Sequence, residues 1–157
     1  MSNNSKFCAR ATFQMAAGNN NSVVNSGVFI PEGALITNAY YFVSTTCIDA
    51  DAGDSSTISL GYTGAAAAFV AAVAISGTNN PFDEGPHGTL VGFAGGAESG
   101  DDNQTALVAI QSKAPTLKHT VVDVELILTV GSERDVTVGL IDLYVEYVMT
   151  NKLIPTA

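Results

Sequence analysis

The sequence predicts an all-β fold: an antiparallel β-sandwich of jelly-roll type, with about seven or eight strands and one short Ala-rich helix, in a single domain spanning residues 1–157. Three observations carry this reading. Apolar and polar residues alternate with period two over several stretches, β-branched and aromatic residues fill those stretches, and Gly, Pro, Asn and Asp punctuate them. The length suits one ordinary domain with one core.

Taken in order, residues 7–15 form the first strand candidate, followed by a polar loop through Gly18, Asn19, Asn20, Asn21 and Ser22. Val28, Phe29 and Ile30 end a second strand. Pro31, Glu32 and Gly33 make a tight turn, because Pro presets φ and Gly supplies a positive φ. Residues 34–47 then read as one long strand, rich in β-branched and aromatic residues. After the acidic turn at Asp49, Asp51, Gly53 and Asp54, residues 55–62 alternate again with Ile58, Leu60 and Tyr62 on one face, so the two runs are expected to form a hairpin.

Residues 65–73, mostly alanine, are the one helix candidate, since Ala has the best helix propensity. Residues 78–104 form a long Gly/Asp loop interrupted at Asn80-Pro81, Gly85-Pro86 and Gly95-Gly96, with a short strand expected at 89–93. Further strands are expected at 105–111, 121–130 and 136–148. The last is apolar on both faces: Val136, Val138, Leu140, Asp142, Tyr144, Glu146 and Val148 on one, Ile141, Leu143, Val145 and Tyr147 on the other. That pattern fits a central strand or one lying against a neighbouring subunit.

Composition narrows the function. Hydrophobic residues make up 46% of the chain and charged residues 13%, about half the usual share. Ser, Thr and Asn therefore cover much of the surface. Between Arg10 and Lys113 there is no Lys or Arg, while that interval holds nine acids and so carries the whole net charge of -9. Nucleic-acid affinity depends on clustered cations, so direct binding to DNA or RNA is not expected. The beginning of the sequence leads into no apolar h-region. The longest apolar run, residues 65–75, is about half the length a membrane span needs. Neither export nor membrane insertion is expected. The sequons at Asn3, Asn20 and Asn103 then read as chance in an Asn-rich chain.

No catalytic template fits. A phosphate-binding loop needs a Lys where the chain has none, and the glycines at 92, 95, 96 and 100 miss the dinucleotide spacing. Cys8, Cys47, His87 and His119 are scattered singly, without the paired spacing of zinc ligands. The two cysteines allow one disulfide at most, and buried free thiols are the simpler expectation. His87 reads as a loop residue and His119 as a surface or interface residue. Gly-x-Ser-x-Gly is missing.

Asp49, Asp51 and Asp54 could converge on calcium, but the EF-hand pattern fails, and a solvated turn accounts for them. Asp83-Glu84 and Asp101-Asp102 read as solvated loop tips rather than a glycosidase pair. The expectation is no enzyme, no cofactor, no metal, and no catalytic or cofactor-binding residue.

Two stretches carry a family likeness. Residues 28–43, with Ile30-Pro31-Glu32-Gly33-Ala34 before the long strand, then Ser56 to Gly64 and the Ala-rich segment, resemble small virion proteins of tailed bacteriophages. The closing segment from Gly139 to Val148 resembles their last strand. The likeness covers under half of the chain, and the long loop at 78–104 departs from simpler members. It implies a capsid decoration or cement protein: a β-rich homotrimer on the capsid surface between major capsid protein subunits, made in the host cytoplasm. No contact residue carries over.

The alternative is a head-fibre or lectin-like module that touches host glycans. An exposed aromatic cluster among Tyr40, Tyr41, Tyr62, Tyr144 and Tyr147 would favour it, and burial of those rings would count against it. For the decoration reading, the charge distribution suggests an acidic exposed portion and a nearly neutral portion engaged with partner chains.

Overall fold

The computed structural model describes residues 5–16, 21–49, 56–75, 80–89, 118–131 and 136–149. Among them are nine strands and no helix: β1 (Lys6–Gln14), β2 (Ser22–Ile30), β3 (Ala34–Asp49), β4 (Thr57–Tyr62), β5 (Ala65–Ala74), β6 (Gly85–Thr89), β7 (Lys118–His119), β8 (Val124–Gly131) and β9 (Val136–Met149).

Two antiparallel sheets face each other. One runs β1-β9-β3-β6, with the two-residue β7 also on β3, and the other runs β2-β8-β4-β5. With β7 set aside, the pairings of the described strands nest: first with last (β1·β9), second with second-last (β2·β8), third with third-last (β3·β6) and the middle two together (β4·β5). This is a long hairpin of four strand pairs rolled up on itself. Rolling brings β3 beside β9 and β4 beside β8, which closes each sheet into its observed order. The jelly-roll expectation holds.

Alternation fills the space between the sheets. Ala11 and Phe13 of β1, Ile36, Ala39, Tyr41 and Val43 of β3, and Ile141, Leu143 and Val145 of β9 face inward from the first sheet. Ile30, Ile58, Leu60, Leu126, Leu128 and Val130 meet them from the second. All are essentially inaccessible to water. At about 25 cal/mol per Å² of apolar surface removed from water, this interior is the main force holding the sheets together.

Several expectations need correction. The alanine run is not a helix but strand β5, paired to β4 through a two-residue turn at Thr63 and Gly64, where Gly64 has φ +92°. The helix preference of Ala amounts to tenths of a kcal/mol per residue, and an isolated helix of this length is marginal in water. Burial of Phe69 and Val70 in the core outweighs it. β3 and β4 do not form a hairpin either. Each finds both neighbours in its own sheet, and the chain crosses between sheets after Asp49. β6 runs Gly85–Thr89, so His87 lies in a strand opposite Tyr41 rather than in a loop; of the short strand expected at 89–93 only Thr89 is among the described residues. The strand placed at 121–130 begins only at Val124. The expected strand at 105–111 lies outside the described residues.

Candidate functional site

The first sheet turns one face to the core and the other outward, and the outward face carries the most organised side chains. Cross-strand register sets them in rows. Cys8 of β1 stands opposite Glu146 of β9, which stands opposite Asn38 of β3. One step along the sheet come Arg10, Tyr144, Tyr40 and Gly88 of β6, and next Thr12, Asp142, Phe42 and Pro86.

In the middle row the Tyr40 and Tyr144 rings stack at 5.0 Å between centroids and 10° between planes, and the Arg10 guanidinium lies 5.8 Å from the Tyr144 centroid. That spacing follows from the distance between adjacent strands, so direct opposition across β3 and β9 is what brings the rings together. Asp142 anchors the neighbouring row. It accepts Arg10 Nη2–H at 2.9 Å, Arg10 Nε–H at 3.2 Å and the Thr12 hydroxyl at 2.5 Å. Burial pushes the Asp142 carboxyl up, but these donors and the Arg10 charge together bring it below its ordinary value. Glu146 is likewise held low, chiefly by Lys6 at 2.6 Å.

The consequence is a face without net charge along its described ion pairs. Lys6 meets Glu146 and Arg10 meets Asp142. Around them lie half-exposed apolar groups, including Tyr40, Phe42 and Val138. The last strand thus has two apolar faces, as expected from its sequence, with one in the core and the other on this surface.

The aromatic residues divide between surface and core. Tyr40 and Tyr144 form the outward pair. Tyr41 is buried, donates its hydroxyl to the Pro81 carbonyl at 2.9 Å and packs on Phe82. Tyr62 packs edge-on to Phe69, and Tyr147 stacks on Phe7 against the core. Cys47 is buried, and burial pushes its thiol up to about 12, the neighbouring Asp83 adding to the shift. Cys8 is exposed on the outward face, which corrects the expectation of two buried thiols; both cysteines are free.

Of the acidic turn only Asp49 is described, accepting the Ser56 N–H at 3.4 Å; Asp51 and Asp54 lie outside the described residues, as do Asp101 and Asp102. Asp83 and Glu84 are exposed on the approach to β6. Among the described residues no group of three or more His, Cys, Asp or Glu is placed to hold a metal. His119 lies in β7 opposite Leu35. The Arg10–Asp142 pair was not legible in the sequence, because its members are 132 residues apart and only the strand order joins them.

No family model matches the sequence, and no curated protein matches it. The fold is shared with a solved structure: a chain of the cyanophage Pam1 capsid asymmetric unit superposes with a TM-score of 0.58 at 11% sequence identity, over 93% of this chain and 86% of that one. A chain of the acidic stable capsid structure of Helicobacter pylori bacteriophage KHP30 gives a TM-score of 0.45 at 19% identity, over 91% of this chain and 86% of that one.

Proposed function

We propose that this chain is a non-enzymatic structural protein of a bacteriophage virion. It decorates the capsid, as one 157-residue module that binds the major capsid protein shell and stabilises it as a homo-oligomer, most simply a trimer. The observation that carries this reading is the fold shared with a chain of the Pam1 capsid asymmetric unit. Both chains are covered almost throughout, so they are of comparable length, and the likeness is to a small capsid chain rather than to a fragment of a large one.

The outward face of the first sheet supports self-association. Its ion pairs are satisfied within the chain, so a copy docking on it buries apolar and aromatic area without stranding a charge. Closed symmetric assemblies are the commonest way for such a surface to be covered. The decorating protein then resides on the capsid surface after synthesis in the host cytoplasm.

One observation favours a second reading, a glycan-binding head-fibre or lectin-like module. Tyr40 and Tyr144 present an ordered aromatic pair to solvent. Tyr41, Tyr62 and Tyr147 pack with the core and count against it. Light scattering on the purified protein, with sedimentation against phage shells lacking it, tests the first reading. An oligomer that co-sediments supports it; a strict monomer that stays in the supernatant overturns it.

A further inference from the structure

We propose that one end of the sandwich, built from the Pro31–Gly33 turn and the turn at Thr120–Asp123, is the surface that docks on the capsid shell, and that the shell offers it an apolar socket with a basic rim. This rests on the decoration reading. The three most exposed large apolar side chains among the described residues belong to this end: Val121 at 74%, Val122 at 58% and Phe29 at 56%. Val121 and Val122 cap the turn into β8, and Phe29 stands two residues before Pro31, opposite Glu125.

These valines are exposed but not loosely held. Thr120 beside them is buried and fastens the two turns together. Its N–H donates to the Ala34 carbonyl and its carbonyl accepts Gly33 N–H, each at 2.9 Å. Its hydroxyl donates to the Pro31 carbonyl at 2.7 Å and accepts Ala34 N–H at 2.9 Å. On the far side of the valines, Asp123 accepts Glu32 N–H at 2.8 Å. A turn fixed in this way presents two apolar side chains without a loop-ordering cost on binding, which is the condition under which small anchors contribute most to affinity.

Charge decides the partner. Asp123 and Glu125 flank the apolar tip, and their carboxylates bond to the backbone N–H groups of Glu32 and Gly27, so neutral donors hold them in place without cancelling their charge. Lys6 and Arg10 are committed to Glu146 and Asp142 on the other sheet, and Lys118 in the adjoining β7 is outnumbered by Glu32, Asp123 and Glu125 in these turns and the start of β8. A second copy docking end to end would bring like charges together, which disfavours that pairing. A basic-rimmed socket complements the tip. The neutral outward sheet face is then left for self-association and the acidic end for the shell.

The test is co-sedimentation with shells assembled from the major capsid protein without this chain, using the full-length protein, the V121S/V122S variant and the D123N/E125Q variant. Because the two valines are largely in solvent, V121S/V122S is expected to keep the parent melting temperature and oligomeric state while losing about tenfold or more in shell affinity. Raising salt from about 50 to about 500 mM is expected to weaken the parent several-fold and D123N/E125Q much less. If V121S/V122S binds shells as the parent does, the docking end is overturned and the decoration reading stands. Loss of self-association in that variant also overturns the inference, by making the tip a contact between copies. A parent protein that does not bind shells overturns both.

Discussion

Gly139 of β9 lies directly against Cys47 of β3: a Cβ at position 139 would stand 2.5 Å from the Cys47 sulfur and 3.0 Å from the Met15 Cγ. The residue sits where the β3·β9 register shifts, and its φ of +153° disfavours other side chains. Met15 N–H donates to its carbonyl at 2.8 Å, so three segments converge there. Gly139→Ala is therefore expected to cost about 1–3 kcal/mol through overpacking and backbone strain. For a chain of this size that lowers the melting temperature by several degrees. Adding Cys47→Ala removes the nearest clash and should recover part of the loss. A double-mutant cycle with no coupling would show that the two residues do not constrain each other.

A second glycine is held by a different neighbour. A Cβ on Gly61 would enter the backbone of the returning strand β5, 2.6 Å from the Ala66 oxygen. Backbone cannot swing aside as a long side chain can. Gly61→Val is expected to push β5 off the edge of its sheet and to expose Phe69 and Val70. Hydrogen exchange in residues 65–74 reads this directly, and unchanged protection there would refute it.

These two contacts separate what local sequence specifies from what only the assembled fold does. The alternation of β3 and β9 is written in their residues, and it alone says which faces meet the core. The alanines of β5 carry no such pattern, and what makes them a strand is Phe69 and Val70 reaching the core beside Gly61, which are long-range facts. For the same reason β3 and β4 read as a hairpin. Proximity in sequence favours pairing of neighbours, whereas rolling of the nested hairpin sends them to opposite sheets. Asp142 is visible in the sequence as a polar break in an apolar row. Its partners Arg10 and Thr12 are identified only when β1 takes its place at the edge beside β9.

The low-lying Asp142 and Glu146 carboxyls make acid stability a readout of the outward face. Their ordinary values are 3.8 and 4.5, and both are depressed in the folded protein. Each therefore contributes stability that is fully present above those ordinary values and is lost as pH falls through the lower folded-state values. Asp142→Asn keeps the shape but removes the charge. At neutral pH it should cost no more than about 1 kcal/mol, since more than half of the Arg10 side chain is in water and screened. The gap between Asp142→Asn and the parent should then close as pH drops below 3.8. Thermal melts from about pH 7 down to about 2.5 measure it, and a gap that persists in acid would mean that the ion pair is not the source.

The outward face also makes a prediction about assembly. Tyr40 and Phe42 are half-exposed neighbours in adjacent rows of β3, bordered by Tyr144 and Asp142 of β9. Placing a glutamate at each, as Y40E/F42E, adds two uncompensated charges to a face whose described ion pairs are closed, while the inward row of β3 at Ala39, Tyr41 and Val43 is untouched. Were copies to associate through this face, each would have to desolvate those charges, a cost of several kcal/mol at every contact. The variant is expected to run as a folded monomer in light scattering, with near-parent circular dichroism. Y40F, which keeps the ring and its stack on Tyr144, should remain an oligomer. An oligomer that survives Y40E/F42E intact would move the self-association surface elsewhere on the sandwich.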